Sequence, residues 1–127
     1  MVIIISISLF SASCIARNQN VEITELLASA GKYNNKHICT EGVYVDGFEA
    51  SALSVSTYKK GRAVYLIEPT IWIDSTDIIK SKNNCFRVDE ILPPAEYCMV
   101  KICGVFEYGK NYGHLGSYNY QIRKDDN

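Results

Sequence analysis

The sequence lacks an excess of charge of either sign: 13 basic side chains stand against 14 acidic ones, a formal net charge of −1. A domain that grips nucleic acid through its phosphates normally carries surplus Lys and Arg on one face, so the balance argues against that partner. The chain also has no glycine-rich phosphate loop and no repeating strand–helix–strand period, which argues against the nucleotide-binding α/β folds. It has no C-x-x-C pair and only two histidines, His37 and His114. Cys98 and Cys103 are near enough to act as loop ligands, but Cys39 and Cys85 have no close partner. The spacing of a structural zinc site is therefore missing, and neither a metal nor a cofactor is expected. No nucleophile with a base and an orienting group can be assembled, so the chain reads as a non-enzyme.

What is present is an ordinary globular composition. Hydrophobic residues make up 47% of the 127 residues and charged ones 21%, which argues against wholesale disorder and gives one domain with a modest core. Nine tyrosines against three prolines lean toward β structure, because Tyr prefers half-buried strand surfaces.

The first ten residues stand apart. Residues 2–10 form an almost wholly apolar, uncharged run, too short for the roughly 20 residues that span a bilayer but suited to the core of a signal peptide. Ser11, Ala12, Ser13 and Cys14 follow, and a small-residue stretch ending in Cys resembles the lipobox at which bacterial lipoproteins are cleaved and lipidated. Ser11 stands where that motif usually has a larger aliphatic residue, and no Lys or Arg precedes the run. The competing reading is a buried first strand with a free thiol at Cys14. Polar Arg17, Asn18, Gln19 and Asn20 favour the leader, since they look like a tether beyond a cleavage point. The expected organisation is a signal peptide at 1–13, a tether at 14–23 with Cys14 lipidated, and a folded domain at 24–127.

Within that domain a short helix is expected at 25–30, capped by Thr24 and ended by Gly31. Strands are expected at 37–46, 52–56, 63–67, 70–74, 97–108 and 117–123, with Pro69 interrupting the middle pair. Lys59, Lys60, Gly61 and Arg62 read as a charged turn, and 75–94 as an irregular excursion with a helical turn at 75–80. Alternation places Ile38, Leu53, Ile71, Val100, Ile102, Tyr118 and Ile122 on buried faces, with Val55 on the same face of its strand as Leu53. Gly104 is expected to mark a bulge or a tight corner. The stretch 38–44 echoes 100–106: both run apolar-x-apolar-x-Gly-apolar-aromatic, as two similar strands of one small barrel would.

The order of these pieces resembles a group of small, mostly uncharacterised bacterial OB-fold proteins, many of them exported or lipid-anchored. The resemblance is carried by Glu25-Leu26-Leu27 with Lys32-Tyr33, by 38–42, and by Gly47-Phe48-Glu49 with Ala52-Leu53. It continues through 71–74, 100–104 and 113–118. It implies a mainly β, five-stranded OB-fold-like small barrel with one short N-terminal helix, in the bacterial cell envelope, lipid-anchored or periplasmic. It implies no activity. The cysteines and the polar insertion before Cys85 depart from it.

Four cysteines beyond Cys14 in a small exported domain read as two disulfides, with three connectivities open. Cys39 and Cys103 share a relative face on strands that neighbour each other in an OB-like barrel, which favours Cys39–Cys103 with Cys85–Cys98. A bulge before Gly104 would favour Cys85–Cys103 with Cys39–Cys98 instead.

Three residues form the candidate binding surface: Phe48, Trp72 and His114. The aromatics could stack a ligand, though a lone aromatic in a small barrel more often packs the core or rim. His114 lies between glycines and reads first as a turn side chain; as a base it would need a partner that sequence cannot locate. The leading function is a non-enzymatic envelope binding or adaptor module whose partner is another envelope protein or a glycan, with membrane attachment through Cys14. The alternatives are an inhibitor or immunity-type protein against an envelope enzyme, and a nucleic-acid-binding OB domain, which the charge opposes.

Overall fold

The computed structural model describes residues 18–89 and 94–126. The expected leader at 1–13, Cys14 and the first part of the tether lie outside the described residues.

Two short helices come first, α1 (Ile23–Ala28) and α2 (Ala30–Tyr33), preceded by the two-residue strand β1 (Gln19–Asn20). Strands β2 (Lys36–Gly47), β3 (Ala50–Ser54), β4 (Thr57–Lys60), β5 (Ala63–Leu66) and β6 (Ile71–Ile73) follow. The chain ends in β7 (Ile79–Val88), β8 (Ala95–Tyr112) and β9 (Tyr118–Arg123). Strand accounts for 61% of the described residues, so the protein is mainly β, with helices confined to short pieces. Seven strands form one mixed sheet in the order β1-β2-β3-β6-β9-β8-β7, and β4 and β5 form a separate hairpin. Because β2 also pairs with β8, the strands β2, β3, β6, β9 and β8 close into a ring. Its β6–β9 contact is parallel and the other four are antiparallel.

The ring is filled as alternation requires. Ile38, Leu53, Ile71, Val100, Ile102 and Ile122 are all buried in one cluster with Tyr44, Phe106 and the helical Ile23, Leu26 and Tyr33. Each fully buried aliphatic stabilises by roughly 1.5–3 kcal/mol, which makes this cluster the main driving force. Tyr44 carries a hydroxyl into it. Ser51 Oγ donates to the Ile73 carbonyl at 2.7 Å, so Tyr44 Oη donates to Ser51 at 2.9 Å, and burial raises the tyrosine pKa. A second cluster lies on the outer surface, where Val43, Val45, Ala52, Ala95 and Tyr97 meet Val64 and Leu66 of the β4–β5 hairpin.

Gly42 and Gly104, the glycines of the echo, mark the places where the two long strands change partners. On one side β2 pairs with β1 up to Cys39 and with β3 from Val43. On one side β8 pairs with β7 up to Ile102 and with β9 from Val105. A Cβ on Gly42 would stand 2.5 Å from the Ser54 carbonyl oxygen, and one on Gly104 the same distance from that of Arg123. Of the bulge or tight corner expected at Gly104, the bulge is absent against β2: Gly104 lies in unbroken register opposite Ile38, and close backbone approach is what requires it.

Both disulfides join neighbouring strands. Cys39 bonds Cys103, its direct register partner across β2 and β8, and Cys85 bonds Cys98 across β7 and β8. The second spans a register shift between Asn83 and Phe86.

Several expectations are corrected. The 79–88 part of the excursion is strand β7, an edge strand exposed along nearly its whole length; with no buried face it shows no alternation to read. The helix begins earlier, at Ile23, with Glu22 and not Thr24 at its cap position, and Gly31 sits inside α2 rather than ending α1. The strand expected at 52–56 is β3 and stops at Ser54, so Val55 lies beyond its end and is 41% exposed. Lys59 and Lys60 belong to β4, and only Gly61 and Arg62 form its turn. Tyr118 is partly buried against the outer cluster, not inside the ring; a register shift between Tyr108 and Tyr112 separates its pairing from that of Tyr120.

A candidate ligand-binding face

The tight turn between β2 and β3 holds Phe48 and Glu49, with Glu49 at φ 57°. Phe48 has no place in either cluster and is 70% exposed. Trp72 is the middle residue of β6, in register with Ala52 of β3 and Gln121 of β9, and so sits on the outer face of the ring. Its indole tilts against Tyr118 with ring centroids 5.2 Å apart.

The connection from β8 to β9 lies directly over that indole. Gly113, at φ 69° and ψ −158°, has its missing Cβ only 2.5 Å from Trp72 Cδ2, so backbone rests on the ring where no other residue would fit. His114 and Leu115 follow in a single 3-10 turn, closed by the Ser117 hydroxyl donating to the His114 carbonyl at 2.9 Å. Leu115 is 89% exposed. His114 Nε2 stands 3.1 Å from Glu49 Oε2, which ties this turn to the β2–β3 turn.

Phe48, Trp72 and His114, far apart in sequence, thus come to one end of the outer face. Glu49, Gly113, Leu115 and Tyr118 complete the arrangement. The glycines around His114 signalled a turn; nothing local signalled that Glu49 would meet it. The face can stack a flat apolar surface on the exposed Phe48 ring and exchange hydrogen bonds through Glu49 and His114, while the Trp72 indole, half-buried under Gly113 and against Tyr118, forms its floor.

Two other features lie elsewhere. Cys85, Glu96 and Cys98 place ligand atoms within 4.8 Å of one another, but both sulfurs are held in the disulfide and are not thiolate ligands while it is intact. A cavity of about 610 Å3 opens where β2 passes from β1 to β3, lined by Glu22, Glu41, Val55, Met99 and Lys101, and it includes none of the three candidate residues.

No family model, no curated protein and no solved structure matches this chain.

Proposed function

We propose that this protein is a non-enzymatic binding module of the bacterial cell envelope, built on an OB-type barrel, and that its ligand is a glycan. One observation carries the reading. The β2–β3 turn and the β8–β9 connection bring Phe48, Glu49, Trp72 and His114 to one end of β3 and β6. In OB folds the corresponding strands and loops receive oligosaccharides and oligonucleotides. The five-strand ring supports the fold assignment, since its strand order and single parallel contact match a Greek-key barrel of that kind. A net charge of −1 turns the choice away from oligonucleotides. An exposed Phe48 ring with the Glu49 carboxylate and the His114 imidazole nearby suits a sugar, which offers an apolar face and a rim of hydroxyls.

The envelope location has separate support. Two disulfides point to an oxidising compartment outside the cytoplasm, and no helix among the described residues is long and apolar enough to cross a membrane. Attachment through lipid on Cys14 is part of the proposal. Cys14→Ala is expected to move the protein from the membrane fraction to the soluble one and to change its mass by the lost lipid.

Trp72 is the only tryptophan, so its fluorescence reports directly on the face. Titration with cell-wall oligosaccharides is expected to shift its emission, and Phe48→Ala to weaken the response at least about tenfold, a loss of roughly 1.4 kcal/mol. An unchanged response in Phe48→Ala would sink the assignment of this face. Capture of an envelope protein by the wild type but not by Phe48→Ala, without any oligosaccharide response, would favour the adaptor or inhibitor reading instead.

A further inference from the structure

The basic run Lys59, Lys60 and Arg62 reads in sequence as a solvated turn. Folding gives it company. The Tyr97 hydroxyl of β8 donates to the Val64 carbonyl of β5 at 3.1 Å, which holds the β4–β5 hairpin against the sheet. The ring of the same Tyr97 stacks on Phe86 of β7, with centroids 5.2 Å apart and planes 8° from parallel. One buried tyrosine therefore fixes the hairpin beside the edge strand, and the Cys85–Cys98 bond secures that strand one residue before Phe86.

Between the two elements lies a cleft of about 420 Å3 whose lining includes Lys59, Arg62, Phe86, Arg87 and Asp89. Arg87 pairs with Asp89 through its Nε. Lys59 and Arg62 have no ion-pair partner among the described residues. Among the described residues, three cations thus line the cleft with one carboxylate, on a chain whose overall charge is −1. Bringing like charges together raises the local potential, and an anion in the cleft relieves it. Lys60, one residue from Lys59, does not line the cleft. Phe86 is 44% exposed despite its stacking, which leaves apolar area beside the cations.

We propose that this cleft binds a phosphomonoester that carries a ring, with Lys59, Arg62 and Arg87 around the phosphate and Phe86 against the ring. A phosphomonoester carries a charge of about −1.5 to −2 at neutral pH, which matches the surplus of the lining. Arginine forks suit its oxygens, and a single carboxylate would leave part of that surplus uncompensated. The site shares no residue with the aromatic face at Phe48 and Trp72 and does not depend on its role.

Phenyl phosphate is the probe, titrated into the full folded chain and followed by calorimetry or amide NMR shifts. It is expected to bind at least about tenfold more tightly than inorganic phosphate, the difference reporting Phe86. Arg62→Glu, at an exposed turn position where folding is not at stake, is expected to abolish binding, and Lys59→Ala to weaken it several-fold. Lys60→Ala should leave it within about twofold, although it removes the same charge one residue away. Phe86→Ala is expected to erase the preference for phenyl phosphate while inorganic phosphate still binds. Equal losses in Lys59→Ala and Lys60→Ala would show a diffuse field in place of a site and overturn the proposal. So would equal affinity for the two phosphates. Adsorption to anionic phospholipid vesicles that phenyl phosphate cannot compete away would overturn it as well, by marking the hairpin as a membrane-surface contact.

Discussion

Glu49 and His114 meet across the end of the sheet, Oε2 to Nε2 at 3.1 Å, and join two turns that are separated by most of the domain. Both side chains are more than a third exposed, so solvent screens the pair. Its contribution to stability is expected below about 1 kcal/mol. Its effect is instead to tie the turn that holds Phe48 to the connection whose Gly113 backbone rests on Trp72. Glu49→Gln is expected to leave the melting temperature nearly unchanged while altering Trp72 emission on ligand addition. A large loss of stability would show the contact to be structural.

Gly113→Ala is expected to cost about 2–4 kcal/mol, because it combines a backbone region open almost only to glycine with a Cβ driven into the Trp72 ring. Gly61→Ala makes the control. It also sits at positive φ, 63°, but has open space around it, and should cost only about 1–2 kcal/mol. Denaturant titration of both variants checks the difference. Equal costs would mean that strain alone matters and that Trp72 can give way.

Val100→Asp is expected to abolish cooperative folding. Val100 is 3% exposed, opposite Gly42 in the ring's interior cluster, where a carboxylate would be cut off from water. Val55→Asp should be tolerated, since Val55 lies beyond the end of β3. Thermal melts of the two proteins separate the buried register from the exposed one.

The two disulfides should differ in both strength and lability. Their sequence separations of 64 and 13 give loop-closure contributions of about 4 and about 3 kcal/mol. Replacing Cys39 and Cys103 together by Ala should therefore destabilise more than replacing Cys85 and Cys98. Under a mild dithiol the order of opening is set by access: Cys85 is exposed on an edge strand, whereas Cys39 is 5% exposed between two strands. Timed alkylation with mass spectrometry should find Cys85 and Cys98 labelled first. Earlier labelling of Cys39 and Cys103 would refute the burial argument.

Asp74 supplies a pH dependence. Desolvation raises its pKa above the ordinary 3.8, although the Lys124 backbone N–H donates to it and lowers the pKa in part. The folded state then binds more protons than the unfolded state between 3.8 and the raised value, so stability falls as pH rises through that window. Asp74→Asn should remove this loss. Asp77 acts in the opposite sense: hydrogen bonding and attraction from Lys124 lower its pKa, so its contribution disappears as pH falls through the lowered value. Denaturation midpoints measured from pH 3 upward for wild type and Asp74→Asn give the test, and parallel curves would count against it.

The interior was legible in the sequence wherever a strand has one wet face and one dry one. Ile38, Val100, Ile102 and Ile122 show their buried side through a period of two, and the echo around Gly42 and Gly104 correctly marked two related strands. The same rule failed on β7 because an edge strand with both faces in water carries no such period. It failed at Tyr118 and carried β3 past Ser54, because alternation does not say where a strand slips or stops.

Sequence by itself determined the class of fold, the burial pattern of the long strands and the residues able to form the bridges, because these follow from local periodicity and side-chain chemistry. Only the tertiary structure decided what those residues meet. Closing β2 onto β8 set Cys39 against Cys103, and the order β3-β6-β9 carried the His114 turn over Trp72 to Glu49. Tyr97 brought the basic hairpin to Phe86. Contacts between distant segments depend on strand order, and strand order is settled by the shared core that the whole chain buries at once.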